Sequence, residues 1–337
     1  MQKSIYEIAK DCSVSTATVS RVLNNSPKVS EKTKKKILAA IGATQFVPAI
    51  SKNSFENVGV FVGAYESESF MLPLSPYCAE LISGLGSALY SYNYSLSLIP
   101  VHNIPKTRDE FKLFCFRRHI GAAVFLNISL HDGFIADFAG LLPIVCIGTQ
   151  IEGIPSIRTD NTAVTTSLME YLHDLGHRTI ALLNVDMNIQ DHTERYEAAI
   201  AACARLGMTI PKACVLPTNQ HTYDDLPYLL ESMIGYPVGK SVTAFVCFDN
   251  QFALRILHLL KSMNLSVPDD VSLVGFDDYA FAQFSDPPLT AIRQPILNLG
   301  ILAGNRILIE LKKLDAAADL PIHSQLILRK SVGPAKR

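Results

Sequence analysis

Ser4-Ile5-Tyr6-Glu7-Ile8-Ala9-Lys10-Asp11-Cys12-Ser13-Val14-Ser15-Thr16-Ala17-Thr18-Val19-Ser20-Arg21-Val22-Leu23 lies at the head of the 337-residue chain and decides how the rest is read. Ser4 is placed to cap a first helix, with Ile5, Ile8, Ala9 and Cys12 on one face. Ser13-Val14 reads as a short turn. Ser15 caps a second helix, Thr16 to about Leu23, whose inward side is Ala17 or Thr18, Val19, Val22 and Leu23. Asn24-Asn25-Ser26-Pro27 is a loop by composition, and Ser30 caps a third helix, Glu31 to about Ile41, with Ile37, Leu38 and Ile41 inward. Three short helices, two of them joined by a tight turn, form a helix-turn-helix unit whose second helix can enter a DNA major groove. The start of that helix offers small hydroxyls and a methyl, which suit close approach to phosphates and thymine methyls. Arg21 can pair bidentately with guanine or stand as a solvated surface residue. The run Lys34-Lys35-Lys36 either tracks the DNA backbone or is a plain solvated face.

Charge agrees with a polyanion-seeking head. The chain carries a formal net charge of −1, but residues 1–52 hold nine lysines and arginines against three acids. A head of +6 therefore sits on a body of −7. Apolar residues make up 48% and charged residues 18%, which excludes a disordered chain. The length suggests two or three domains. No apolar run approaches the ~20 residues of a membrane helix, and the first residues lack the apolar core of a signal peptide, so a cytoplasmic location is expected. Seven scattered cysteines without a Cys-x-x-Cys spacing read as buried reduced thiols, not as a disulfide or metal framework.

The stretch Ile5–Ile41 resembles the DNA-binding headpiece of the lactose-repressor (LacI/GalR) family. About twenty of its positions match in order without a gap, through Thr18-Val19-Ser20-Arg21-Val22-Leu23-Asn24 and Val29-Ser30-Glu31-Lys32-Thr33. The resemblance implies operator contacts at Ser4, Tyr6, Ser15, Thr16, Ala17, Thr18, Ser20, Arg21, Asn24, Lys28, Val29, Ser30, Thr33, Phe46 and Phe55. In that family a short helix after the headpiece wedges a leucine into the minor groove. Phe46-Val47-Pro48 matches its entry, but Ala49–Phe55 departs from the family's Asn-x-x-Ala-Arg-x-Leu, and Phe55 falls at the wedge position. Phe55 either serves as the wedge or packs on the core. The linker is also roughly five residues shorter than usual, which limits headpiece excursion.

From Val58 onward apolar strand-like runs alternate with amphipathic helices in two series. The first has strands at Val58–Val62, Ser95–Pro100, Ile120–Leu126 and Ile144–Ile147, with helices near Cys78–Tyr92 and Lys106–Arg118. The second has strands at Thr179–Val185, Val242–Phe248 and Val271–Phe276, with helices at Thr165–Leu175, Glu194–Leu206 and Gln251–Met263. Continuous apolar strands between helices predict parallel sheets covered on both faces, with ligand near the strands' carboxyl ends. The fold class is therefore α/β. It comprises a three-helix helix-turn-helix headpiece (1–46), a shortened hinge (47–57) and an effector-binding and dimerisation body (58–337) of two doubly wound subdomains.

The family resemblance extends over this body, most clearly in Val267–Asp278, Pro287–Thr290 and Arg293-Gln294-Pro295. It implies a periplasmic-binding-protein-like sensor whose cleft uses Tyr77, Asp160, Arg195, Asp249 and Asp277. His221, where this chain departs from the family, is a further effector-binding candidate that can stack on or hydrogen-bond a sugar. Carboxylates and an arginine fork at strand ends can grip sugar hydroxyls, and an aromatic face can cover the sugar ring. Four of these residues also have a plainer reading: Asp277 as a cap or turn, Arg195 and His221 as surface, Tyr77 as core. Three features depart from the family. The Asn-Asp pair after the strand at 243–247 is reversed to Asp249-Asn250. His221 stands where many relatives have Phe or Trp. An insert spans Ala64–Leu74.

Together these readings imply a transcriptional regulator, a repressor by the family's usual outcome. Its expected partners are pseudo-palindromic double-stranded operator DNA, a small-molecule effector of carbohydrate type and a second copy of itself. No cofactor is expected. No leucine heptad follows Ile327–Ser331, which argues against a tail-built tetramer. A regulator answering a protein partner is the alternative. An enzyme is disfavoured, because nucleophile-elbow, P-loop and dinucleotide motifs are missing.

Overall fold

The computed structural model describes residues 4–23, 28–42, 55–63, 75–218, 225–235, 241–316 and 322–335. The head is the three helices α1 (Ile5–Asp11), α2 (Thr16–Leu23) and α3 (Glu31–Gly42). Ser4 and Glu7 form a reciprocal capping box at the start of α1. The Ser15 and Ser30 hydroxyls accept the amides of Thr18 and Thr33, starting α2 and α3 as expected. Ser13 at φ 53° makes the turn between α1 and α2. Ile8, Ala9, Cys12, Val19, Val22 and Ile37 form the small core. Ala17 is exposed and Thr18 half-buried, so Thr18 takes the inward position that the spacing left open. Lys36, one of the three consecutive lysines, donates to the Cys12 carbonyl at 3.1 Å and so helps to close the end of α1.

The body begins with β1 (Asn57–Val62), α4 (Pro76–Tyr90), β2 (Ser95–Pro100), α5 (Arg108–Arg117), β3 (Ala122–Leu126), β4 (Ile144–Ile147) and β5 (Ser156–Ile157). These strands make one all-parallel sheet in the order β2-β1-β3-β4-β5. Side chains alternate across it with the strand period of two. Val58, Val60, Val62, Val124, Leu126, Val145 and Ile147 pack on one face with Leu81 and Leu85 of α4. Phe61, Phe125, Ile144 and Cys146 pack on the other with Phe111 and Cys115 of α5.

The second unit runs α6 (Asn161–Asp174), β6 (Ile180–Val185), α7 (Gln190–Leu206), β7 (Val215–Pro217), α8 (Leu226–Ile234), β8 (Ala244–Cys247), α9 (Asn250–Ser262), β9 (Ser272–Phe276), β10 (Thr290–Arg293), α10 (Ile296–Glu310) and β11 (Gln325–Ile327). Its sheet has the order β11-β10-β9-β8-β6-β7, parallel except for β11. Helices α6 and α7 cover one face and α8 and α9 the other.

The most consequential element is one the sequence reading left unassigned. Helix α10 follows the second sheet in the chain but packs in the first unit, where Leu299, Ala303, Ile307 and Leu308 join Leu81 and Leu85. The chain therefore crosses between the units before α6, before α10 and again before β11. Two helices also begin earlier than the periodicity indicated. The Asp160 side chain accepts the Ala163 amide at 2.9 Å and starts α6 at Asn161, not Thr165. Helix α7 starts at Gln190, not Glu194, after Ile189, which provides no side-chain cap. That shift carries Asp191 and His192 into its first turn.

Phe55 lies on the body. Its ring stands edge-on to Phe116 and His119, with centroids 5.8 and 5.0 Å away. Its carbonyl passes so close to Gly121 that a Cβ there would come within 2.3 Å of it. Of the two readings for Phe55, the structure shows the packed one. Phe116 also packs against the head's core, so one aromatic pair touches both parts. Residues 47–54 of the expected hinge, the 64–74 insert, Asn24, Phe46 and His221 lie outside the described residues.

Candidate functional site

The strands of both sheets present their carboxyl ends to one cavity of about 440 Å³. The first unit contributes Ser75 and Tyr77 from the start of α4 and Asn127 after β3. The second contributes Asn184, Thr218, Phe248, Asp249, Asp277, Tyr279 and Gln294, all at or just beyond strand ends, and Asp191, His192 and Arg195 from α7. Four of the six residues expected in a cleft are brought together here: Tyr77, Arg195, Asp249 and Asp277. Asp160 is a correction. It is exposed and caps α6, because a short acid directly before a helix satisfies that helix's free amides and need not reach a ligand.

Arg195 is only 3% exposed. Its Nε donates to Asn161 Oδ1 at 2.9 Å and its Nη1 to the Phe248 carbonyl at 3.3 Å. Its guanidinium carbon lies 4.3 Å over the Phe276 ring. The remaining N–H groups have no protein acceptor among the described residues. Asn161 also donates to Asp191 Oδ1 at 2.9 Å, and Oδ2 has no protein donor among the described residues. Burial pushes the Asp191 carboxyl up to about 6 against the pull of Arg195. Burial and the Arg195 charge push the neighbouring His192 down to about 3, which keeps it neutral.

Asp277 sits at φ 85° in the turn after β9. Tyr279 donates to its Oδ2 at 2.9 Å and Gln294 to its Oδ1 at 2.5 Å, so part of the plainer turn reading holds as well. The turn is pinned by Asp278, a buried acid that ion-pairs with Arg293 and Arg329. Asp249 caps α9 by accepting the Phe252 amide at 2.6 Å. Burial, then the Asp277 charge, pushes its carboxyl up to about 6. Next to it Asn250 is fully buried, and neither of its amide atoms has a partner among the described residues. Tyr77 belongs to the core of the first unit and also lines the cavity.

Several contacts bridge the cavity's edge. The Leu130 amide donates to the Asn188 carbonyl at 2.8 Å, and His131 Nε2 lies 2.9 Å from Asn188 Oδ1. The Gln150 amide donates to Gln190 Oε1 at 2.7 Å. The two units are thus clasped along the start of α7. Sequence reasoning missed Asp191, His192 and Asn161. The missing side-chain cap before Gln190 hid the first two, and Asn161 reads locally as no more than the residue after a cap.

The raised Asp191 carboxyl sets a pH dependence. A folded-state value near 6 against an unfolded value near 3.8 means that the native state holds the extra proton between these limits. Its contribution is present below about pH 4 and lost as pH rises through about 6. Asp191→Asn, which keeps the shape without the charge, is expected to raise ligand-free stability at pH 7.5 by about 2–3 kcal/mol. The gain should vanish near pH 4, as read from denaturant melts at both pH values.

In the head, Ser4, Tyr6, Ser15, Ala17, Arg21, Lys28 and Ser30 are exposed and Thr16, Ser20, Val29 and Thr33 half-buried, so these positions are open to DNA, whereas Thr18 turns inward and Phe55 packs on the body. Thr18 Oγ1 is engaged with Ser15 at 2.9 Å and Thr33 Oγ1 with Ser30 at 2.9 Å.

Known proteins share both parts. Residues 4–49 match the model for bacterial regulatory proteins of the lacI family, and residues 169–332 that for a periplasmic binding protein-like domain. The chain is 26% identical over 344 residues to the HTH-type transcriptional repressor PurR of Actinobacillus pleuropneumoniae, covering 98% of both chains. Its fold matches the transcriptional regulator CelR in complex with cellobiose, with a TM-score of 0.68 at 23% identity over 98% of this chain and 100% of that one. It also matches the lac repressor dimer bound to operator and the anti-inducer ONPF, with a TM-score of 0.66 at 21% identity over 99% and 100%.

Proposed function

The chain belongs to the LacI family of bacterial regulatory proteins, and from that premise we propose how its parts divide the work. It is an effector-controlled, DNA-binding transcriptional repressor and not an enzyme. The effector is a sugar or sugar derivative held in the cavity between the two sheets. The observation that carries this reading is Arg195, a buried guanidinium whose free N–H groups share one cavity with carboxylates and aromatic rings. Such a set supplies both donors and acceptors for vicinal hydroxyls. Among the described residues no helix is long and apolar enough to cross a membrane. The repressor acts in the cytoplasm as a homodimer, so that two heads read two half-sites of a pseudo-palindrome.

Recognition starts at α2. Ser15, Thr16, Ala17 and Ser20 approach phosphates and methyls, and Arg21 reads a base edge. Tyr6, Lys28, Val29, Ser30 and Thr33 flank it. Effector binding alters the clasp between the units. The packing of Phe55 on Phe116, which itself touches the head, gives that change a route to the DNA reader. Coupling of this kind is reciprocal: operator must weaken effector binding by the factor by which effector weakens operator binding.

The test is a shift assay on the DNA flanking the gene, titrated with salt and with candidate sugars. Specific binding should outlast added salt better than non-specific binding. Arg21→Ala should weaken operator binding by roughly ten- to a hundredfold, from the loss of about 1–3 kcal/mol of base discrimination. Equal loss on random DNA would remove the base-reading role. An effector affinity that does not change with operator present would remove the coupling.

A further inference from the structure

The described residues that line the cavity carry three carboxylates, Asp191, Asp249 and Asp277, and two guanidinium groups, Arg195 and Arg255. The cations do not serve the acids equally. Arg195 is buried, and its charge acts on both Asp191 and Asp277. The His192 beside it is neutral and offers no positive charge. Asp249 accepts backbone amides at the start of α9, and the cation that acts on it is Arg255, which is exposed on that helix, where water screens its charge. The like charge of Asp277 also acts on Asp249. Two phenylalanines, Phe248 and Phe252, also line the cavity.

A mostly buried carboxylate beside another carboxylate, met by backbone amides and an exposed cation but by no buried one, is incompletely compensated. A ligand can supply the missing partner. A protonated amine brings three strong donors and a positive charge that aromatic faces also attract. A phosphate would bring further negative charge against three acids. A plain hydroxyl can donate one hydrogen bond but leaves the charge unanswered. We propose that the effector carries a protonated amine seated against Asp249 and the flanking phenylalanine rings, so that the cleft takes an amine-bearing polyol and rejects phosphorylated ones. The proposal rests on the reading of the cavity as the effector site and names the chemical class for it.

Asp249 allows a clean test because asparagine caps a helix as well as aspartate does, so Asp249→Asn removes the charge and keeps the start of α9. The full-length protein is titrated calorimetrically at pH 7.5 with matched triplets: glucosamine, glucose and glucose 6-phosphate, and the galacto and manno equivalents. In at least one triplet the amine is expected to bind at least tenfold more tightly than its parent, with no measurable binding of the phosphate. Asp249→Asn, checked for a thermal melt no lower than that of the parent protein, is expected to bring the amine-to-parent ratio close to one. A parent sugar or phosphate that binds as tightly as the amine overturns the proposal. So does a ratio unchanged in Asp249→Asn, or silence from all three amines. Arg195→Met separates this failure from that of the cavity reading. If a neutral sugar binds and is lost in Arg195→Met but not in Asp249→Asn, the cavity reading stands and the amine does not. If binding survives both substitutions, both readings fall.

Discussion

Arg195→Met is expected to abolish effector binding, by a hundredfold or more, while operator binding persists and no longer responds to effector. The physical ground is the isolation of this guanidinium. It is 3% exposed, bonded to Asn161 and the Phe248 carbonyl, and stacked on Phe276. Methionine fills much of the same stem but has no donors. Removing one partner of a buried charge network costs about 3–5 kcal/mol, because the groups left behind lose their counter-charge. Here those groups are Asp191, Asp277 and Asn161 Oδ1. The two acids, already pushed upward by burial, would hold protons to still higher pH. Calorimetric titration gives the loss of effector binding, and a reporter under the operator should show repression that effector cannot lift. Effector affinity kept within tenfold of the parent protein would remove Arg195 from the site.

A large loss of stability is also expected from Gly300→Ala. Helices α4 and α10 cross with their backbones in contact. A Cβ at Gly300 would stand 2.1 Å from the Leu81 carbonyl oxygen and 2.8 Å from the Leu85 nitrogen. Gly84 faces the Leu297 carbonyl oxygen in the same way, at 2.1 Å. Neither obstacle is a flexible side chain, so the helices must separate and open the layer formed by Leu81, Leu85, Leu299, Ala303 and Ile307. Overpacking of this kind costs about 3 kcal/mol, equivalent to roughly 6–12 °C in melting temperature for a domain of this size. Gly133→Ala is the control, since a Cβ there would meet nothing within 4 Å. A thermal scan in which both variants melt like the parent protein would mean that α10 can leave α4 without loss.

Local signals were legible where their partners lie within a turn or two. Ser4 and Glu7 cap each other, Ser15 and Ser30 start their helices, and the apolar runs at Ile144–Ile147 and Ser95–Pro100 are strands at the bounds the sequence indicates. Legibility failed where the cap is weak or two roles compete. Ile189 gives no side-chain sign that α7 begins at Gln190, so Asp191 and His192 looked like loop residues. Asp160 carries a short acid before Asn161, a pattern that suits a ligand and a helix cap equally, and the helix took it. Phe55 could face a groove or a domain, and only the position of Phe116 decides between them.

The sequence alone therefore determined the three-helix head, the two α/β series and the charge division between head and body. Each of these depends on hydrogen bonds and periodicities that close within a few residues. The tertiary structure alone decided what the cavity is made of. Tyr77, Arg195, Asp249 and Asp277 meet because parallel strands all end at one edge and because the chain crosses between the sheets before α6, before α10 and before β11. No local pattern encodes that α10 returns to pack on α4. The return is fixed by the fit of Gly84 and Gly300 against facing backbones more than 200 residues apart in the chain, a contact that exists only once both units are folded.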